Sequence, residues 1–386
     1  MIGVCLKYMM RNYGSQLQAR ATIKVLEDMG LKYEILQYNK KGIIFKLKAL
    51  PRIFNPVFVN DKLLSLQKKR NLREVPQVKI RNRLFDAYCE KHFVAHTVCV
   101  DYFNELQKKA EKYEAVITCS DQLWSPAGLG TNFYNLMFVP ENVRKISFAS
   151  SFGVSKIPSY QIRRTKEYLN RIEFISVREN QGQKIVKNLI GRDVPVLMDP
   201  VFVYTKQEWE KLVPLENIYD FPYILTYFLG DNIQFRKRVE DFAKQKGLKI
   251  VAIKFSNSYL EYDKCFGDIA PFDIDPDKFL NLIRGASYIC TDSFHGCAFS
   301  IICEKPVAIF NRYADGSSSS KNSRIDSLCE NLDLKQIRAN EKTNLSDLFS
   351  KQINYLSVKQ QLQVYIQKSK SYLNEAFEGI AKKQFK

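Results

Sequence analysis

Histidine is scarce in this chain, three among 386 residues, and tryptophan is scarcer, with two. Nine cysteines lie scattered with no Cys-x-x-Cys pair, which argues against a zinc site and fits a reducing compartment. Cys5, Cys290 and Cys303 fall in apolar runs, where a free thiol packs as a small hydrophobe. No run of 18 or more apolar residues appears, so no transmembrane helix is expected. The start, Met1-Ile2-Gly3-Val4-Cys5, has neither the charged region nor the cleavage site of a signal peptide. Internal repeats, long low-complexity tracts and RNA-binding or helix-turn-helix signatures are also lacking. What remains is a globular composition, 45% hydrophobic, on a chain too long for one ordinary core, so two domains are expected.

The net charge of +18 is unevenly placed. Between Lys40 and Arg83, thirteen Lys or Arg face two acids, Asp61 and Glu74, a net of +11. The same stretch carries Ile43, Ile44, Phe45, Leu47, Leu50, Ile53, Phe54, Val57 and Phe58. Basic residues mixed with large apolar ones suit an anionic membrane surface. A plain solvated face is the rival reading, and nucleic acid ranks third because no signature supports it. The expected location is the cytoplasm, peripheral at the inner face of the membrane, with no nucleic-acid partner.

Strand and helix patterns alternate along the chain. Ile2–Cys5 reads as a strand, and Leu17, Ala21, Val25 and Met29 give the next stretch a helical period that Gly30 stops. Strands are expected at 33–37, 115–118, 145–149, 173–177 and 194–197, with the basic region largely helical through Leu106 and broken at Pro51, Pro56 and Pro76. The second half restarts the rhythm, with strands at 223–227, 249–253, 287–290 and 307–310 and helices at 233–245, 276–284 and 294–303. This alternation predicts parallel sheets, hence an α/β fold. The division is expected near residues 200–220, giving an N-terminal domain over 1–205, a C-terminal domain over 206–340 and a helical extension over 341–386. Leu356, Leu362, Ile366, Leu373, Phe377 and Ile380 mark that extension as a long amphipathic helix.

Tyr288-Ile289-Cys290-Thr291-Asp292-Ser293-Phe294-His295-Gly296 is the most informative stretch. It reads as a buried strand, a short polar turn and a helix start. Open α/β folds bind ligands at such strand ends, and a helix N-terminus there favours an anion. Histidine is the side chain best suited to move a proton near neutral pH. The turn therefore points to an anionic donor and a proton transfer through His295; the plainer reading is that His295 caps a helix or fills a turn.

An ordered set of motifs resembles the polysaccharide pyruvyl transferase family. They are Asn12-Tyr13-Gly14-Ser15-Gln16-Leu17-Gln18-Ala19, Ser120-Asp121-Gln122-Leu123-Trp124-Ser125-Pro126, Ser147-Phe148-Ala149-Ser150-Ser151-Phe152-Gly153, Ser176-Val177-Arg178-Glu179 and Asp199-Pro200-Val201-Phe202, followed by Thr291–Gly296 and Asn322-Ser323-Arg324-Ile325. The resemblance implies two Rossmann-like domains facing a cleft, as in GT-B glycosyltransferases. It also implies transfer of the enolpyruvyl group of phosphoenolpyruvate to two sugar hydroxyls as a pyruvate ketal, with phosphate leaving. The donor is then a substrate, and neither cofactor nor metal is expected. By that resemblance His295 and Arg178 line the phosphoenolpyruvate site, with the second domain on the donor side. Many members carry arginine two residues before the histidine; this chain has Ser293.

Phosphoenolpyruvate carries a phosphate and a carboxylate, so its site needs fixed cations and N–H donors. Arg178 at a strand end and Arg324 can give bidentate contacts, or can simply be salt-bridged. Ser293, Gly296 and Ser323 complete the expected anion set. Ketal formation needs protonation of the methylene carbon, attack by a hydroxyl and departure of phosphate. His295 is the expected acid. Asp121, at the end of an apolar strand, is the expected base, or equally a helix cap. Asn12, Tyr13 and Gln16 in the first turn and Trp124 are the candidates to meet an acceptor sugar, lipid-linked or free. Turn shaping is the alternative for Asn12, and core packing is the alternative for Trp124. Asp199-Pro200 is read as structural, ending a strand at the hinge. The rival functions are a nucleotide-sugar glycosyltransferase and a non-catalytic envelope-assembly scaffold.

Overall fold

Ile2-Gly3-Val4-Cys5 is buried along its whole length as β1, the centre of a six-stranded sheet. The structure is a computed structural model, and it describes residues 1–40, 63, 66, 71–72, 75–126, 132–255, 259–312 and 322–380. Most of the basic segment 40–83, including Lys68, Lys69 and Arg70, lies outside the described residues, as does most of the serine-rich stretch 314–322.

Beside β1 stand β2 (Tyr33–Tyr38), β3 (Thr97–Val100), β4 (Ala115–Cys119), β5 (Arg144–Ser150) and β6 (Phe174–Val177). They are parallel throughout, in the order β3-β2-β1-β4-β5-β6. Helices α1 (Tyr13–Asp28), α2 (Pro76–His92), α3 (Phe103–Ala110), α4 (Ile162–Arg171) and α5 (Asn180–Ile190) flank them. Strands covered on both faces need apolar residues on both, which is why Ala115–Cys119 is buried at all five positions. Asn12 opens α1 by accepting the Ser15 N–H at 3.1 Å, and Gly30 ends it at φ +69°.

After the short α6 (Lys206–Leu212), a second parallel sheet combines β7 (Tyr223–Tyr227), β8 (Lys249–Ala252), β9 (Tyr288–Thr291), β10 (Val307–Phe310) and β11 (Arg338–Ala339). Its order is β11-β10-β9-β7-β8. Its helices are α7 (Ile233–Lys246), α8 (Pro276–Gly285), α9 (Phe294–Ile302), α10 (Ser323–Asn331) and α11 (Leu345–Ser350). The 22-residue α12 (Tyr355–Ala376) follows the second sheet in sequence but reaches back to the first. Tyr372 Oη donates to the Ser147 carbonyl at 2.8 Å, and the Ala376 carbonyl accepts from Arg144 at 3.1 Å. At its other end, Tyr355 Oη donates to the Lys305 carbonyl in the second half. The chain is therefore an α/β protein of two Rossmann-like halves, with α12 strapped across both.

Two expected elements differ. The stretch through Leu106 holds a strand as well as helices, because Thr97-Val98-Cys99-Val100 pairs with β2. Residues 194–197 form only one bridge, Val196 with Val177.

The halves meet through specific contacts. Arg20 pairs with Asp277 at 2.7 Å, and buried Arg81 donates to the Lys254 and Phe255 carbonyls at 2.6 Å each. Tyr13, expected at the acceptor, is buried instead. Its ring stacks on Phe279 at 4.8 Å and packs against Phe85 at 4.6 Å and edge-on to Tyr227 at 5.8 Å. Removing a buried aromatic ring costs about 3–5 kcal/mol. Tyr13→Ala is expected to lower the thermal unfolding midpoint by several degrees; an unchanged midpoint would show that this cluster does not hold the halves together.

Candidate active site

Strand order reverses between β1 and β4 in the first sheet and between β7 and β9 in the second. Such points leave a crevice beyond the carboxyl ends of the strands, where open α/β sheets bind ligands. At the first edge stand the turn into α1, Ser120 and Asp121 after β4 (joined by a cis peptide bond), and Arg178 after β6. At the second stand Gly230, the Asp292–His295 turn and Arg312. The two edges touch, since Asp199 and Arg178 of the first half contact His295 and Phe294 of the second.

The centre is a buried ion set. The Arg178 side chain is 2% exposed. Its Nη1 donates to Asp199 Oδ2 at 2.6 Å and to Ser120 Oγ at 3.0 Å, and its Nη2 donates to Asp121 Oδ1 at 3.1 Å. Ser120 Oγ in turn donates to Asp199 at 2.6 Å. The Arg178 guanidinium also lies 4.5 Å from the Phe294 ring centroid, and that of Arg324 lies 5.7 Å from the same ring. Arg324 Nη1 stands 3.9 Å from Asp121 Oδ1, and the Gln122 amide oxygen, turned toward it, accepts from Arg324 Nε at 2.9 Å and Nη2 at 2.8 Å. His295 Nε2 lies 3.5 Å from Asp199 Oδ2 without hydrogen-bond geometry, and is buried with no hydrogen-bond partner among the described residues. The α1 backbone presses on this ring. A Cβ on Gly14 would lie 2.3 Å from His295 Cγ, so only glycine fits there.

These contacts set the protonation states. Burial alone would raise Asp121, but Arg178, then His295 and Arg324, hold its carboxyl well below the usual carboxylate range. Burial would raise Asp199 as well, yet His295, Arg178 and Ser120 hold it down to about 2. Burial, then the like charge of Arg178, push the Arg324 guanidinium down to about 10. A bound anion would favour its charged form. A carboxylate held as low as Asp121 accepts a proton poorly, so its pairing suits fixing two guanidinium groups better than acting as a base.

The other expected residues divide. Ser293 is the cap of α9, accepting from Gly296 N at 3.3 Å, and Gly296 leaves room for Thr291 Oγ1, which a Cβ would approach to 2.7 Å. Ser323 opens α10 with its Oγ buried and without a hydrogen-bond partner among the described residues. Asn12 is spent on capping α1. Gln16, expected at the acceptor, is fully buried, and its amide donates to the Phe85 carbonyl at 3.2 Å and to Cys89 Sγ at 3.0 Å. Trp124, 0% exposed, donates to the Tyr134 carbonyl and packs on Phe152 and Tyr168, so it is core and cannot stack on a sugar as placed. Asp199, read from the sequence as structural, proves central to the ion set. The Asp-Pro pair at a strand end was its only signal. Gly14, Ser120, Gln122, Phe294 and Arg312 were not singled out, although the first four lie inside the quoted motifs. Among the described residues, no group of three or more His, Cys, Asp or Glu is placed to hold a metal ion.

Two parallel Rossmann-like sheets facing across a cleft, with a last helix returning to the first, define the GT-B architecture. A UDP-N-acetylglucosamine 2-epimerase assignment from Listeria monocytogenes has a solved structure that shares this fold at TM-score 0.51 and 11% identity, over 99% of this chain and 98% of that one. Fainter likenesses are a UDP-GlcNAc 2-epimerase from Neisseria meningitidis (TM-score 0.44, 11% identity, 97% and 99% covered) and Acinetobacter baumannii MurG (0.43, 11%, 95% and 94%). No curated protein matches the chain. The family model Polysaccharide pyruvyl transferase matches residues 12–312, and the chain belongs to that family.

Arg178 bridges the fully buried Asp199 and the partly buried Asp121, and removing one partner of a buried ion set typically costs about 3–5 kcal/mol. Arg178→Ala is expected to destabilise the protein strongly, with Arg178→Ala/Asp199→Asn recovering part of the loss. Thermal denaturation checks this, and equal midpoints for wild type and Arg178→Ala would refute the ion set as a stabilising unit.

Proposed function

We propose that the protein transfers the enolpyruvyl group of phosphoenolpyruvate to two hydroxyls of one sugar in an envelope or capsular polysaccharide precursor. The observation that carries this reading is the meeting of His295, whose buried Nε2 has no hydrogen-bond partner among the described residues, with the Arg324 guanidinium beside the Phe294 ring. Arginine pairs with phosphate and carboxylate in fork geometry, and an orphaned buried nitrogen is costly until something meets it.

The steps follow from the donor's chemistry. His295 gives a proton to the methylene carbon, which becomes the methyl group. One sugar hydroxyl adds to the adjacent carbon and a second displaces phosphate, closing the ketal. Of the two hydroxyl protons, one replaces that given by His295 and the other leaves with the phosphate, whose second pKa near ~6 makes it a competent acceptor. Arg324 steadies the charge that builds on the leaving group. Asp121 and Asp199 hold Arg178 and the imidazole in place. Asp121 then needs no role as a base.

The acceptor is proposed to be lipid-linked. The segment 40–83 supplies net +11 with interleaved apolar residues, although Arg81 is buried and must be discounted. Where the described residues resume, α2 exposes Lys79, Ile80 and Arg83, and an Arg11–Asp86 pair ties it to exposed Met9 and Met10. None of the helices among the described residues is long and apolar enough to cross a membrane, so the contact would be peripheral.

His295→Ala is expected to keep the fold and to lose about 10²–10⁴-fold in phosphate release from phosphoenolpyruvate with a galactose, mannose or glucose lipid acceptor. Turnover within tenfold of wild type would remove the proton-transfer role. Release of a nucleoside diphosphate from a nucleotide sugar would favour a glycosyltransferase, and failure to bind phosphoenolpyruvate with acceptor present would favour a scaffold. Sedimentation with anionic vesicles is expected at low salt and weakened at high salt, each engaged basic residue contributing roughly 1 kcal/mol. Lys68, Lys69 and Arg70 reversed to Glu should cut activity on a lipid-linked acceptor more than on a soluble sugar; equal loss on both would return the segment to a solvated face.

A further inference from the structure

Arg312 stands two residues beyond β10, at the same sheet edge as His295, and its side chain is 21% exposed. Its stem fits because residue 230 is glycine. A Cβ there would come within 3.1 Å of Arg312 Cγ and 2.9 Å of Asp292 Oδ2. The guanidinium is anchored at one corner, Nη2 donating to the Asp292 carbonyl oxygen at 3.0 Å. Its nearest carboxylate is already occupied, since Asp292 Oδ1 and Oδ2 accept the Leu229 and Gly230 N–H groups at 2.7 Å each. Arg312 Nη2 stands 3.6 Å from Oδ1, a loose pair, and Arg312 Nε is buried with no hydrogen-bond partner among the described residues. The group is thus fixed in place by the main chain while most of its donor capacity is uncommitted.

Two further observations bear on the same sheet edge. Arg312 holds the Asp292 carbonyl two residues before Phe294, whose ring centroid lies 5.7 Å from the Arg324 guanidinium, and its like charge helps to depress Arg324, after burial and Arg178. Arg324 sits in the first turn of α10, a nine-residue helix whose first residue, Ser323, has its Oγ buried with no hydrogen-bond partner among the described residues. A helix N-terminus, a hydroxyl and two guanidinium groups form the donor set that a phosphate dianion requires. Arg324 already meets the Gln122 amide oxygen through Nε and Nη2 and contributes its charge, whereas Arg178 is spent on Asp121 and Asp199.

We propose that Arg312, with Arg324, Ser323 and the first turn of α10, holds the phosphate group of the donor. The inference rests on the phosphoenolpyruvate reading and says which cations of the site meet which end of that molecule. Arg312 then acts as a binding residue, and its loss should raise the apparent KM for donor far more than it lowers kcat.

The test is calorimetric titration of the full chain with phosphoenolpyruvate and, separately, with inorganic phosphate. Wild type, Arg312→Gln and Arg312→Lys are compared, with thermal midpoints recorded for each. Losing a charge-assisted contact should weaken both ligands about ten- to a hundredfold in Arg312→Gln, with Arg312→Lys between it and wild type and the acceptor KM unmoved. If wild type binds phosphoenolpyruvate and phosphate and Arg312→Gln binds both equally well, the proposal fails while the proposed function stands. Weakened phosphoenolpyruvate with undiminished phosphate binding would give Arg312 to the donor's carboxylate and overturn the assignment. A wild type that binds neither ligand overturns this proposal and the proposed function together.

Discussion

The bridge that Arg178 makes between Asp121 and Asp199, one nitrogen to each, is the interaction on which the site depends. Burying any one of these charges alone would cost several kcal/mol, and only their mutual pairing makes the arrangement tolerable. The three residues come from a strand end, a β–α turn and the connection between the halves, so pairing them fixes where the first half presents its edge. Phe294 and His295 then press onto that edge from the second half, one through its ring face and the other through a charge contact. The cleft is therefore closed around a preformed electrostatic centre, which leaves cations other than Arg178 to respond to a ligand.

Much of this was legible in the sequence, for identifiable reasons. Strands covered on both faces write themselves as short apolar runs between turn residues, so nearly every one could be read directly. β3 escaped because it lies at the sheet edge: three of its four residues are partly or fully exposed, so the periodicity of its neighbours overshadowed it. His295, Arg178, Asp121 and Arg324 could be grouped because each stands at or just beyond an element end within a recognisable motif. Asp199 could not, because an Asp-Pro pair at a strand end looks the same whether it shapes a turn or receives a guanidinium.

The residues expected to meet the acceptor tell the opposite story. A turn that holds a ligand and a turn that anchors a helix use the same polar and aromatic residues. Asn12 is spent on a cap, Gln16 on the Phe85 carbonyl and Tyr13 on an aromatic stack between the halves. The turn reaches the site instead through Gly14, whose backbone lies against the His295 ring, and through Ser15, whose Oγ donates to Asp121 Oδ2 at 3.5 Å. Ser293, where the resemblance leads one to expect arginine, is likewise a cap, so positive charge at this edge must come from elsewhere on the chain.

The path of α12 bears on how the molecule is made. It follows β5 by more than two hundred residues, yet its Tyr372 and Ala376 meet that strand. Synthesis runs from the first residue onward, so these contacts can form only after both halves have been made. The two halves are thus joined by a clasp that closes late, and a fragment that stops before Tyr355 has no such clasp.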